Sequence, residues 1–212
     1  AAKGKYIAHM DGDDMALPTK LQKQFDIMEK NPQAIICSHK VLSLSENLLF
    51  EEEYWNYPEG EYGFIDLVKK LPFFAHSSKF FRVTDEDDLY NILCDVGTLD
   101  VELHLHQASK GTIMHLNENL GVYRLESGIS AIKNYKINSK IVERMDFIYE
   151  KLLKSNLEAK KIIEYSHANY LLNTAYSYAI SESDVTRAKM YIVKSIKKKL
   201  ISINQPAFCV II

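Results

Sequence analysis

Cysteine is scarce in this chain of 212 residues. Cys37, Cys94 and Cys209 are odd in number, far apart and without a C-x-x-C pair. That excludes a disulfide framework and a thiolate zinc site, and a reducing compartment is the simplest reading. No apolar run approaches the roughly 20 residues of a membrane span, and no signal-peptide pattern opens the chain. An excess of one charge is also missing. A net charge of −2 gives no global reason to expect nucleic acid as a partner. There is no H-E-x-x-H, and His104 and His106 alternate on an expected helix, so they point to different sides. His104, His106 and His115 are therefore read as surface or partly buried side chains, not metal ligands. An EF-hand is excluded as well. Counting from Asp11, its glycine would fall at Ala16 and its glutamate at Gln22.

What is present is an ordinary globular composition, 47% apolar and 25% charged, enough for one core, or one domain with an appendage. The chain is organised around Tyr6–Gln24. Tyr6-Ile7-Ala8 reads as a strand end, followed by Asp11-Gly12-Asp13-Asp14. Three carboxylates at such a junction repel one another, and a hard divalent cation would relieve the repulsion. A solvated acidic turn is the other reading. Gly12 is taken to permit a tight turn and close approach of a ligand. Pro18 then opens a helix to Lys30 with Leu21, Phe25 and Met28 expected inward.

Further strands are expected at Ala34–Cys37, with Val41–Leu44 continuing or pairing with it, at Thr112–Leu116 and at Leu120–Arg124. A short helix is expected at Phe64–Leu71, with Phe64, Leu67, Val68 and Leu71 inward. Ser77 and Ser78 belong to an expected buried strand, and Glu46–Gly63 reads as a long excursion. Thr84–Asp88 reads as acidic capping of a helix start. Asp100 opens a helix that ends in the Lys110-Gly111 turn. From Lys133 the pattern is helical throughout: Lys133–Lys154, Leu157–Ser181 with Ile162, Tyr165, Ala168, Leu172 and Ala175 inward, and a third helix capped by Ser183 or Asp184. That last helix ends in Lys194, Lys197, Lys198 and Lys199 beside apolar positions, a candidate surface for anionic lipid. Lysines complementing a helix C-terminus are the plainer reading.

Gly4-Lys5-Tyr6-Ile7-Ala8, Asp11-Gly12-Asp13-Asp14, Pro18 and Lys20-Leu21-x-x-Gln24 together resemble the centre of a family 2 glycosyltransferase of the bacterial cell-surface polysaccharide type. The resemblance covers roughly residues 1–130. It implies a GT-A-type α/β fold, a mixed sheet flanked by helices, here expected to lack its N-terminal nucleotide-binding half. Residues 1–130 would be the C-terminal part of the catalytic domain and 131–212 a helical appendage. On this resemblance Asp13, supported by Asp11 and Asp14, holds the diphosphate of a nucleotide-sugar donor through Mn²⁺ or Mg²⁺. Asp100 falls on the family's catalytic aspartate, with Leu99 where Glu is usual. Arg124 falls in the closing Tyr-Arg element, where it would pair with phosphate or an internal carboxylate. Glu126 stands where His is common.

The implied enzyme is an inverting, metal-dependent transferase acting on a saccharide or lipid-linked saccharide acceptor. It would be cytoplasmic, with the basic helix a candidate contact to the inner face of the membrane. The isolated chain would be inactive without the missing half. The alternative is a non-catalytic helical interaction module fused to a degenerate transferase remnant.

Overall fold

The computed structural model describes residues 3–44, 50–51, 57–84, 97–125, 137–202 and 205, without the side chains of Phe50 and Glu51. The chain divides into two compact units, Ala1–Ala131 and Ile132–Ile212. The first is α/β: a mixed sheet with helices. The second is helical.

The seven described strands are β1 (Tyr6–Ala8), β2 (Met15–Ala16), β3 (Ala34–Leu44), β4 (Phe50–Glu51), β5 (Gly60–Tyr62), β6 (Phe80–Arg82) and β7 (Thr112–Arg124). Their order is β1-β6-β3-β7-β2, with β4 on β3 and β5 on β7. The central pair β3–β7 is parallel, and all the other pairings are antiparallel. Expected short strands merge here. Ala34–Cys37 and Val41–Leu44 are one strand of 11 residues, and Thr112–Leu116 and Leu120–Arg124 are one of 13. Register shifts near His39 and Lys40 keep the two long strands paired across their irregular middle.

The sheet sets where helices α1 (Lys20–Lys30), α2 (Phe64–Lys69) and α3 (Asp100–Ala108) lie. Helix α1 corrects the expected inward face. Its buried residues are Lys20, Gln24 and Met28, while Leu21 and Phe25 are exposed. The reason is hydrogen bonding. The Gln24 amide donates to the carbonyls of Cys37 (3.0 Å) and Ser78 (2.8 Å), and Lys20 Nζ donates to the Ser77 carbonyl (2.6 Å). Giving these carbonyls charged or amide donors outweighs the cost of exposing Leu21. Asn31 ends the helix before Pro32, its N–H bonded to Ile27 O.

In α2, Leu67 and Val68 are buried, with Phe64 and Leu71 partly so. Ser77 and Ser78 lie in a 3₁₀ turn, His76–Ser78, that precedes β6 and is not part of the strand. Beyond α3, Gly111 is obligatory for steric reasons. A Cβ there would meet the Gln33 carbonyl oxygen at 2.6 Å, so the chain passes under that loop only without a side chain.

The second unit comprises α4 (Ser139–Ser155), a 3₁₀ turn (Leu157–Ala159), α5 (Lys160–Ser181) and α6 (Val185–Lys198). Asn138 and Asp184 cap α4 and α6 through side-chain acceptors. The buried face of α5 is Ile163, Ser166, His167, Ala168, Leu171, Leu172, Thr174, Ala175 and Tyr178. Ile162 and Tyr165, expected inward, are exposed. The helix is turned so that His167 reaches Asp146 of α4 at 2.6 Å, and Tyr149 stacks on its ring. Leu171, Ala175, Tyr178, Ala188 and Ile192 form the apolar centre.

Candidate active site

The candidate site is built where three pieces of the first unit meet: the loop after β1, the 3₁₀ turn before β6, and the start of α3. The β1–β6 pairing carries the first two together, and the His9 N–H bonds Lys79 O at 3.0 Å beyond the paired residues. The Ser77 hydroxyl then accepts the Asp11 N–H at 3.0 Å, which fixes the start of the acidic turn. Asp14 N–H closes that turn on Asp11 O at 3.2 Å. The turn does not draw on glycine's positive φ: among described glycines Gly97 alone has one. A Cβ on Gly12 would meet open space. Gly12 therefore lies within the tight turn, as expected, without supplying a positive φ to it.

The acidic residues are placed differently from one another. Asp11 carries a 45% exposed side chain, with its Oδ1 3.2 Å from His9 Nε2. His9, Asp11 and His76 each place one ligand atom within 4.8 Å of the others, a set able to hold a metal ion. Asp14 turns inward, its Oδ1 accepting the Arg124 N–H at 2.9 Å. Burial raises its carboxyl above the usual range, with the Ser77 hydroxyl and the Arg124 N–H opposing and the charges of Asp13 and Asp11 adding to it. The Asp13 carbonyl accepts from Arg124 Nε at 3.1 Å. The acidic turn and the end of β7 are thereby tied, with the guanidinium reaching a main-chain oxygen of that turn.

Asp100 is the first residue of α3, just after the N-cap Leu99, whose N–H bonds Glu102 Oε1 at 3.1 Å. Leu99 has no side-chain acceptor for the first-turn N–H groups, and Glu102 makes the other half of a capping box by accepting the Leu99 N–H. Asp100 Oδ1 lies 3.7 Å from His76 Nε2. The side chain is 62% exposed, so its surroundings wall it without covering it. Partial desolvation raises its carboxyl above the usual range and Asp11 adds to this, while His9 and Lys79 oppose. A carboxylate held a little more basic than normal and open to solvent suits proton acceptance.

Behind Asp100 lies a group of side chains that sequence reasoning did not place at the site. His76 Nδ1 and His104 Nε2 are 2.9 Å apart, and His104 Nδ1 has no partner. Burial and the Lys79 charge hold both imidazoles neutral, with His76 lowered to about 3. Lys79 is fully buried with Nζ 3.3 Å from Gln107 Oε1, and burial lowers it to about 7 although Asp100 acts the other way. His104 and His115 are fully buried, not surface or partly buried as expected. Each is packed against aromatic rings: His104 on Phe74, His115 on Tyr57 and Phe73. The sequence signal for His9 and His76 was weak. One lies two residues before Asp11 and the other beside a serine pair, and only the β1–β6 register relates them. Glu126 and the acids from 85 to 88 lie outside the described residues.

Comparison with known proteins gives the context for this geometry. Residues 1–89 match the family model described as glycosyl transferase family 2. An uncharacterized protein of Mycobacterium tuberculosis is 30% identical over 125 residues, 58% of this chain and 36% of that protein. An uncharacterized protein of Mycobacterium bovis matches to the same extent. An uncharacterized glycosyltransferase of Methanocaldococcus jannaschii is 48% identical over 46 residues, 22% of this chain and 16% of that protein. The chain thus spans about a third or less of the length of these relatives.

Proposed function

We propose, from a glycosyl transferase family 2 segment in residues 1–89, that this chain forms the acceptor and diphosphate side of a glycosyltransferase. The donor is a nucleotide-diphosphate sugar and the acceptor a saccharide or lipid-linked saccharide hydroxyl, in cell-surface polysaccharide assembly. The observation that carries the reading is that Asp11 and Asp100, far apart in sequence, both stand beside His76. A cation-binding carboxylate and a proton-accepting one are the two charges a metal-assisted sugar transfer requires.

Asp100 receives the acceptor hydroxyl proton on its carboxylate as that oxygen attacks the anomeric carbon. A single displacement of this kind inverts configuration. The α3 N-terminus holds the carboxylate at its first turn. Asp13, supported by Asp11 and Asp14 of the same turn, would hold Mn²⁺ or Mg²⁺, which when bound neutralises charge on the leaving diphosphate. Asp14 and Arg124 keep the acidic turn fixed to β7 through the bonds from Arg124 N–H and Nε. Arg124 lies close enough to that turn to meet the diphosphate as well.

Residues 1–130 would be the catalytic portion and 131–212 the helical appendage. No described helix is long and apolar enough to cross a membrane. The end of α6 would lie against an anionic cytoplasmic membrane face through Lys197, because Lys194 and Lys198 already pair with Asp146 and Glu150 and Lys199 Nζ donates to the Lys161 carbonyl.

The experiment is nucleotide release by the full-length protein from UDP-, GDP- and dTDP-sugars, with and without Mn²⁺, for wild type, Asp11→Asn and Asp100→Asn. Metal-dependent release that Asp100→Asn loses while nucleotide binding persists supports the reading. Absence of release and of nucleotide binding with every donor and metal would leave the helical interaction module as the function.

A further inference from the structure

We infer that His9, Asp11 and His76 form a cation site of two imidazoles and one carboxylate, selective for a late first-row divalent cation such as Co²⁺ or Zn²⁺ over Mg²⁺. The inference rests on the proposed function only for its biological use, because cation binding is measurable with no sugar donor present.

The three ligand atoms lie within 4.8 Å of one another, close enough to share one ion after small side-chain rotations. Oxygen-only sets suit Mg²⁺, whereas imidazole favours later transition cations, following the Irving–Williams order. The ligands are supported from behind. The Ser77 hydroxyl anchors the Asp11 main chain, and His104 Nε2 sits 2.9 Å from His76 Nδ1. When His76 Nδ1–H donates to His104 Nε2, Nε2 of His76 is left as the ligating atom. This is the usual way a neighbouring group orients a metal-binding imidazole. His104 is almost wholly buried with Nδ1 unpartnered, so its one inter-ring bond has no other evident purpose.

The remaining space suits a cation. Asp11 and His9 are 45% and 36% exposed, leaving room for water or a diphosphate oxygen to complete the coordination. The Asp11 carboxylate lies 3.2 Å from His9 Nε2, so two of the proposed ligands already adjoin. A second group with the same donor types, Asp146, Glu150 and His167, shows the contrast. There Lys194 and Lys198 already occupy the two carboxylates, so the charge is balanced without a metal.

The test is calorimetric titration of the full chain with Mg²⁺, Mn²⁺, Co²⁺ and Zn²⁺, together with the visible absorption of the Co²⁺ form. One saturable site is expected, with Co²⁺ and Zn²⁺ tightest and Mg²⁺ weakest. Because most sites prefer Co²⁺ to Mg²⁺, the deciding quantity is the ratio between them. His9→Ala and His76→Asn should each lower Co²⁺ affinity at least about tenfold, with much less effect on Mg²⁺, so the ratio collapses. A ratio unchanged in both variants, Mg²⁺ bound as tightly as Co²⁺ by wild type, or no saturable site would overturn the inference. Thermal unfolding checks that each variant folds. The exposed position of His9 keeps the test open if His76→Asn does not. Intact Co²⁺ binding without sugar transfer would refute the proposed function and leave this site standing.

Discussion

The sheet unit and the helical unit bury different things. The sheet unit encloses Lys20, Gln24, Lys79, His39, His104, Gln107 and His115. Several are driven far from their ordinary ionisation by burial: Lys79 to about 7, His39 to about 3, His115 to about 4 and the Cys37 thiol up to about 12. The helical unit is held by Leu171, Ala175, Tyr178, Ala188 and Ile192. Its shifted groups are mainly tyrosines, such as Tyr170 pushed up to about 12, which stay neutral throughout the physiological range. Burying ionisable groups costs stability, so their concentration in one unit makes that unit the candidate place for chemistry. The other unit is a conventional apolar assembly, whose described charge pairs include Asp146–His167 with Lys194, Glu150–Lys198, and Arg187 with Glu182 and Asp184.

The largest effect that would sharpen this contrast is a loss of catalysis without a loss of fold. Asp100→Asn should reduce sugar transfer by about 10²–10⁴-fold with an unchanged unfolding midpoint. A drop in stability instead would make Asp100 a structural helix-start residue. In the helical unit the expectation reverses. Leu171→Ala, at a fully buried position, should cost about 2–5 kcal/mol in denaturant unfolding while leaving Co²⁺ binding intact.

A smaller effect is expected from Gln24→Leu, which fits the volume but strands the Cys37 and Ser78 carbonyls. A loss of about 1–3 kcal/mol would confirm that polar pairing, not apolar contact, fixes α1. Lys79 tests the same idea through pH. Its folded pKa lies below the unfolded value of 10.5, so the unfolded chain binds the extra proton between about 7 and 10.5. Stability should therefore rise with pH across that window, and Lys79→Met should flatten the rise in a series of thermal melts. The smallest effect belongs to the helical surface. Lys198→Ala should change stability by only about 0–1 kcal/mol, since its partner Glu150 is largely solvated. A larger loss would mean the helical unit also depends on charge.

Much of the fold was legible before the structure. Hydrophobic periodicity and turn residues located α2, the start of α3, the long helices and the strands on either side of them, because these follow from local spacing. The faces were less legible. Leu21 and Phe25 turn outward on α1, and Ile162 and Tyr165 on α5, because buried carbonyls and the Asp146–His167 pair decide the rotation. The site was half legible. Asp11, Asp13, Asp14, Asp100 and Arg124 were marked by motif, and their roles stand as proposals. His9, His76, His104 and Lys79 carried no spacing signal at all.

The sequence by itself determined that a strand runs into an acidic turn, that a carboxylate starts the helix at Asp100, and that the last third is helical. These depend on neighbours within a few turns of chain, where side-chain period and capping act directly. The tertiary structure alone decided that Asp11 and Asp100 share His76, that Arg124 ties the acidic turn to β7, and that a buried lysine lies beneath them. Those relations pass through the β1–β6 and β3–β7 registers. A register is fixed by the whole sheet packing at once, and no local pattern in the chain encodes it.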